Sequence, residues 1–367
     1  MFFPAPDPAE PLPALQAVAD ALLADHPPRA VLTLRLEDFG IRVVSNSTAV
    51  ADRLRTYFHN FIDESATCGM TVRVLETEPF RPPWPFRDWE PEQGKRRLKE
   101  SYADLPGGRA VRKVRTGMVF LSGGNQRVAV GRCGDHLNQV VNYIVAQYIS
   151  HRMAQGWILC HAAGIARGDR GLGIAARSGG GKSTLALQLL RHNFDYISND
   201  RLLLLRTAEA VAMGGVPKQP RINPGTALHH PDLVDVLSPG RRAALQRIPA
   251  SELWELEDKH DADIERLFGP GRFRLMSRLE SFVILNWDRR GKGFSAETVD
   301  LNRRSDLLPL IQKSPGPFHA SDRPPGGSDR RETAPRYVEC LASVPVVEIT
   351  GGVDFPQAIA VCRGLIE

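Results

Sequence analysis

A short apolar stretch, Gly171–Ala176, runs into Ser178-Gly179-Gly180-Gly181-Lys182-Ser183, and the residues behind that turn, Thr184–Leu190, are apolar enough to continue as a buried helix. A strand that must turn at once into a helix, through three glycines and a lysine, calls for a layered α/β arrangement in which a strand end meets a helix start. The glycines let the backbone curl so that successive N–H groups converge, and the helix start adds its partial positive charge at the same point. That combination suits phosphate. Set against the phosphate-loop pattern G-x-x-x-x-G-K-[ST], the chain reads Ala176-Arg177-Ser178-Gly179-Gly180-Gly181-Lys182-Ser183, with alanine in the place of the first glycine. Alanine is a small departure at a position that helps the turn and makes no phosphate contact. Lys182 is expected to reach the β- and γ-phosphates of ATP and Ser183 to ligate Mg²⁺, with Ser178, Gly179, Gly180, Gly181 and Thr184 completing the cradle. A glycine-rich turn that merely happens to precede a helix would carry little weight. The strand before this one and the apolar helix after it set it apart.

The neighbourhood is consistent with such a loop. His161–Arg167 and Gly171–Ala176 read as two short strands joined by a turn at Gly168-Asp169-Arg170, a hairpin signal. A strand-like segment, Phe194–Ser198, follows the helix Lys182–Arg191 and ends at Asn199-Asp200. A carboxylate at Asp200 is in the right topological place to hold Mg²⁺ or its water; its plainer alternative is a surface turn. His161, at the start of the hairpin, would by itself be read as a satisfied structural residue.

Towards the N-terminus the pattern predicts a helix over Leu15–Leu23, strands over 31–36 and 41–44, an amphipathic helix over Ala49–Phe61, a strand over Met70–Leu75, and an irregular loop over Pro79–Glu92. Strands return over Ala110–Leu121 and Gln126–Gly131, before a helix over His136–Met153 with Leu137, Val140, Val141, Ile144 and Tyr148 on one face. The cluster Lys95-Arg96-Arg97-Leu98-Lys99 is either an anion contact or, more simply, a solvated face. Beyond the phosphate loop, residues 231–266 read as a polar helical insertion, Phe282–Leu285 and Val344–Ile349 as strands, Ser314–Pro335 as a mobile loop, and Pro356–Ile366 as a closing helix. Two domains are expected, 1–132 and 133–367.

Composition excludes several classes. The net charge of +5 is the balance of 47 basic and 42 acidic residues, too even to imply nucleic acid by itself. Five widely spaced cysteines, with no C-x-x-C pair, argue against a disulfide framework or a zinc site. No basic residue precedes Arg29, so the charged start of a secretory signal is missing. No apolar run reaches the roughly 18 residues of a spanning helix. A soluble cytoplasmic protein with no membrane partner is therefore expected.

In their order along the chain, these motifs resemble the catalytic domain of the HPr kinase/phosphorylase family, and most closely the subgroup called HprK-related kinase B. His161 and Lys182 keep the family's interval between its histidine and its loop lysine. The family's G-x-S-G-x-G-K-S loop is similar to Ala176–Ser183, its A-D-D-R motif to Ser198-Asn199-Asp200-Arg201, and its L-F-G-x-x-x-x-R element to Leu267–Arg274. Val283–Trp287 resembles the closing strand before an aromatic residue, and Pro217–Thr226 resembles the related-kinase subgroup. The likeness covers a third to half of the chain and none of residues 1–130.

The resemblance implies a P-loop kinase domain that transfers phosphate from ATP, with Mg²⁺, to a hydroxyl, typically a serine of a protein partner. It implies catalytic roles for His161, Lys182 and the Asn199-Asp200 pair, metal ligation by Ser183 and Asp200, and cations near the transferring phosphate among Lys218, Arg221, Arg272 and Arg274. The alternative for these cations is pairing with the acidic insertion around Glu252, Glu255, Glu257 and Asp258. Asn199 stands where the family has its first aspartate, and an amide cannot take up a proton as a general base. Asp200 or His161 then takes that role, or positioning and charge suffice; reverse phosphorolysis loses its carboxylate. A small-molecule hydroxyl kinase and a nucleotide-dependent binding module stay open beside the protein kinase, as does a homo-oligomeric state.

Overall fold

The computed structural model describes residues 12–90, 98–249, 252–253, 256, 258–288, 290–319 and 330–367. The Lys95–Arg97 part of the basic cluster, Glu255 and Glu257 lie outside the described residues. The chain is a mixed α/β protein of two compact units, which divide between His151 and Arg152, with the segment from Pro315 counted in the first.

In the first unit α1 (Leu15–Asp25) precedes the hairpin β1 (Ala30–Leu36) and β2 (Phe39–Ser45), and α2 (Thr48–Tyr57) follows. Ser47 caps α2 by accepting from the Val50 N–H. The amphipathic run expected to reach Phe61 stops at Tyr57 and continues as one 3₁₀ turn, His59–Phe61. Then come β3 (Cys68–Glu76), β4 (Arg87–Asp88), β5 (Glu100–Leu105), β6 (Gly108–Lys113), β7 (Val119–Gly123), β8 (Gln126–Gly131) and α3 (Leu137–Ala154). The eight strands form one sheet in the order β1-β2-β3-β8-β7-β6-β5-β4. Leu15, Val18, Ala19 and Leu22 of α1 pack on Ala110, Val119, Leu121, Val128 and Val130. Inside the stretch expected to be irregular, Arg87–Asp88 pairs with Tyr102 and Ser101.

The second unit is built on β9 (Ile158–Cys160), β10 (Ala162–Arg167), β11 (Arg170–Ala176), α4 (Lys182–Leu190), β12 (Asp195–Ser198), β13 (Leu202–Arg206) and β14 (Val211–Gly214). After the small pair β15 (Arg221–Ile222) and β16 (His260–Asp261) come β17 (Met276–Leu285), β18 (Phe294–Thr298) and β19 (Val346–Gly351). The sheet runs β12-β10-β11-β17-β14-β13-β9, with β19 joining β17 and carrying β18. The expected hairpin is present, with Arg167 opposite Arg170 and Gly168 at φ +63° supplying the left-handed turn. β11, β17 and β19 lie parallel, with Ala176 opposite Leu285 and Leu285 opposite Ile349.

These strands are buried on both faces. Ala162, Ala166, Ala175, Phe282 and Ile284 belong to one core with Leu307, Leu308, Ile311, Tyr337 and Leu341. Their neighbours Ala163, Ile165 and Ile174, equally buried, point the other way by strand alternation. Helix α4 buries Leu185, Ala186, Leu187, Leu189 and Leu190. Residues 231–266 are not a continuous helix. Among the described residues they form short pieces, Val234–Val236, Pro239–Leu245 and Ile264–Phe268, because prolines at 231, 239 and 249 interrupt the backbone ladder. The stretch expected as a loop as far as Pro335 is helical from Arg330 to Leu341.

Candidate functional site

Strand topology brings the chemically active residues of the second unit to one place. β9 pairs antiparallel with β13, Cys160 opposite Leu202, while β10 pairs antiparallel with β12, Gly164 opposite Ser198. The chain therefore crosses from β9 to β10 at His161 beside the place where it crosses from β12 to β13 at Asn199-Asp200. Ala162 opposes Ala175 in the β10–β11 hairpin, so the loop after Ala176 opens next to His161. A backbone bridge from Cys160 to Gln312 adds the segment that carries Lys313.

The loop is shaped by backbone and by aromatic packing. Gly181, at φ +91° and ψ 0°, precedes α4 in a left-handed conformation, and a Cβ there would stand 3.0 Å from the Phe355 ring and 3.3 Å from Trp287. The Trp287 indole N–H donates to the Gly180 carbonyl at 2.8 Å, and its ring meets Phe355 edge-on at 5.2 Å. Held this way, the N–H groups of Lys182, Ser183 and Thr184 form the free first turn of α4, where a helix has donors to spare and a positive end.

Lys182 is only 9% exposed. Its ammonium donates to the Asn199 carbonyl at 3.2 Å and to Asp200 Oδ1 at 3.0 Å. Burial pushes its pKa down, and the Asp200 charge works against that shift. Asp200 also meets His161 Nε2 at 3.0 Å through Oδ1 and Lys313 Nζ at 2.9 Å through Oδ2. Desolvation would by itself raise the Asp200 carboxyl. The hydrogen bond from His161 and the charges of Lys182 and Lys313 outweigh it and hold the group well below the usual carboxylate range. An ionised carboxylate only accepts, so the contact with His161 requires the hydrogen on Nε2. With three donors on its two oxygens, Asp200 is an anchor for cations and a poor proton acceptor.

Asn199 has its side-chain oxygen buried and without a hydrogen-bond partner among the described residues. A buried acceptor left alone is costly, and such an exception has a physical cause, whether strain, a functional role or a bound water or ion. Were the Ser183 hydroxyl and the Asp200 carboxylate to join the Asn199 oxygen, the donors would all be oxygen, the kind that Mg²⁺ takes. Among the described residues no group of three or more His, Cys, Asp or Glu is placed to hold a metal by itself. Any Mg²⁺ here would need ligands from a phosphate chain as well, which is its usual mode of binding.

The remaining sequence candidates separate. Lys218 lies within electrostatic reach of Asp200, and burial, reinforced by Arg201 and Arg221, lowers its pKa to about 7. Arg221 sits on the same side, paired with Asp261 at 3.3 Å and donating to the Lys259 carbonyl at 2.8 Å. Arg272 and Arg274 do not join them. Arg272 donates to the carbonyls of Leu190 and Phe194 and pairs with Asp195, at the start of β12. Arg274 donates to the Gly168 carbonyl and meets Asp195 at 3.4 Å. Gly168 is the hairpin turn at the opposite end of β11 from the loop, about 20 Å away at the usual rise per strand residue. Their guanidinium groups tie strand ends together, which is a sufficient reason for both arginines. Arg241, and not one of these four cations, takes Asp258 of the acidic stretch.

Two residues of the site were missed by sequence reasoning. Lys313 follows a short helix, Leu308–Ile311, in a segment with no motif, and nothing in its local sequence signals its partner. Lys259, whose charge acts on Lys182, is equally anonymous. Among the described residues no helix is long and apolar enough to cross a membrane.

Comparison with known proteins adds little. No family model matches the chain, and no curated protein matches it. Among solved structures it is similar to the Hpr(Ser) kinase/phosphatase from Coxiella burnetii, at 10% identity and a TM-score of 0.30, over 56% of this chain and 88% of that one. A likeness this loose leaves function to the chain's own residues.

Proposed function

We propose that this chain is a kinase that binds ATP with Mg²⁺ on the Ser178–Thr184 loop and transfers the γ-phosphate to a hydroxyl, a serine of a protein partner or the alcohol of a small molecule. The observation that carries the reading is Lys182, a nearly buried ammonium at the first residue of α4, held 3.0 Å from Asp200 with Lys313 on the other carboxylate oxygen. Two lysines on one carboxylate leave the cluster with positive charge to spare, which suits a polyphosphate. The N–H groups of the loop and the helix start would take the β-phosphate. Ser183, Asp200 and the orphaned Asn199 oxygen would hold the Mg²⁺, whose charge offsets that of the phosphate oxygens. Lys182 would pass from Asp200 to the β- and γ-phosphates, and Lys313 would follow the transferring group. The resemblance to the HPr kinase/phosphorylase family supports the same assignment. Phosphoryl transfer depends chiefly on position and charge, so a site without a strong base is chemically adequate.

Calorimetric titration with MgATP tests the reading. Lys182→Ala should abolish tight binding, and undiminished affinity would remove the phosphate-loop assignment. One observation favours a second reading. Asn199, where the resembling family has an aspartate, is consistent with a module that holds nucleotide without transferring phosphate. ADP release that rises when a hydroxyl acceptor is added supports the kinase, and nucleotide affinity without turnover supports the module.

A further inference from the structure

The phosphate loop has two chemically different neighbours. On its β10 side stand His161, Asp200 and Lys313. On its β17 side, where Ala176 opposes Leu285, the residues just past the end of β17 border a cavity of about 550 Å³ lined by Arg177, Asn286, Trp287, Asp288 and Arg290. This open, largely polar hollow lies at the C-terminal ends of the parallel strands β11 and β17, where open α/β sheets receive their ligands. We propose that it takes the nucleoside half of the nucleotide and that Asn286 and Trp287 select an adenine base; this rests on the ATP-binding reading above.

A triphosphate laid along the loop has one end on each side. The β10 side carries the cations and the carboxylate, so the γ-phosphate belongs there and the nucleoside points towards β17. Trp287 is fixed by its bond to the Gly180 carbonyl and by Phe355, and a fixed indole is a low-entropy stacking surface for a planar base. The guanidinium groups of Arg177 and Arg290 on the cavity wall add planar, cationic surfaces of the kind that stack on bases.

Asn286 supplies the selection. Its Nδ2 donates to Glu348 Oε1 at 2.8 Å, and Glu348, itself 5% exposed, is gripped by both arms of Arg304. A carboxylate only accepts, so this contact fixes which end of the Asn286 amide is the nitrogen. The end left for a ligand is the carbonyl oxygen, an acceptor. It favours the exocyclic amino group of adenine over the 6-oxo group of guanine, which would bring two acceptors together. Asp288 holds the Arg290 N–H at 2.8 Å through one oxygen and can accept from ribose hydroxyls through the other.

The test compares MgATP, MgGTP and magnesium tripolyphosphate as ligands of the full chain by calorimetry. The proposal expects ATP to bind at least about tenfold more tightly than either of the others. Asn286→Ala should erase most of the preference for ATP over GTP while tripolyphosphate affinity stays the same. If the Asn286 variant fails to fold, the three-ligand comparison in the wild type still decides. Equal binding of ATP and tripolyphosphate would overturn the nucleoside site and leave the phosphate loop standing. Binding of none of the three would overturn the phosphate loop, and the nucleoside site with it. Equal affinity for ATP and GTP, both above tripolyphosphate, would refute the selective role of Asn286.

Discussion

Replacing Lys313 by methionine separates what the cluster does at rest from what it does in transfer. At rest Lys313 is one of three donors on Asp200, at 2.9 Å, and Asp200 has 45% of its side chain in contact with solvent. A hydrogen bond to a charged group contributes about 1.5–3 kcal/mol, and solvent around the carboxylate moves this case to the low end or below. The loss in the nucleotide-bound ground state should then be near 1 kcal/mol, or about fivefold in MgATP affinity at most. If Lys313 follows the phosphoryl group, its removal takes away a stabilising charge where negative charge is being redistributed. Loss of one such donor costs about 10²–10³ in rate. Calorimetry gives the affinity, and slow ATP hydrolysis, or transfer once an acceptor is in hand, gives the rate. Lys313→Arg keeps the charge and should recover much of the rate. An unchanged rate in Lys313→Met, or a fall in affinity as large as the fall in rate, would refute the reasoning.

Three further outcomes are expected. Asn199→Asp should retain MgATP binding and raise transfer by as much as about 10²-fold if a base is what the site lacks; lower activity would mean that the Asn199 amide orients an oxygen that a second carboxylate repels. Gly181→Ala forces a side chain into a left-handed backbone 3.0 Å from Phe355, so it should lower the urea midpoint, by about 1–3 kcal/mol in stability, and weaken phosphate binding. Lys218 has its native pKa depressed to about 7, so above that value the unfolded chain binds the extra proton and stability should rise with pH until the unfolded lysine also titrates near 10. Urea unfolding of Lys218→Met across that window should lack this rise, which cannot exceed about 1.4 kcal/mol per pH unit for one group.

Legibility from sequence followed the range of the interactions. The β10–β11 hairpin, the loop and α4 were readable because their signals are local: alternating strands, a turn glycine, a glycine-rich run and an apolar helix. Asp200 was readable as the first acidic residue after the next strand. Cations were harder, because a long flexible side chain can reach partners in any direction. Arg274 closes a motif and Lys313 belongs to none, yet Arg274 ends on the Gly168 carbonyl and Lys313 on Asp200. Residues 231–266 look helical and polar in sequence, but the prolines at 231, 239 and 249 cut them into short pieces. The Arg304–Glu348–Asn286 chain left no signal, for it joins three segments that meet only in the folded sheet.

The packing of Phe355 and Trp287 against the glycine loop also sets an order of events during synthesis. Proteins emerge N-terminus first, and domains begin to fold as they appear. The hairpin and α4 leave the ribosome early, but the aromatic pair that encloses Gly181 is made more than a hundred residues later, as is the lysine that completes the cluster on Asp200. Until then the loop has its glycines without the wall that shapes them. A nascent chain halted between residues 200 and 280 would carry the glycine loop without Trp287, Phe355 and Lys313, the groups that wall the loop and complete the cluster on Asp200.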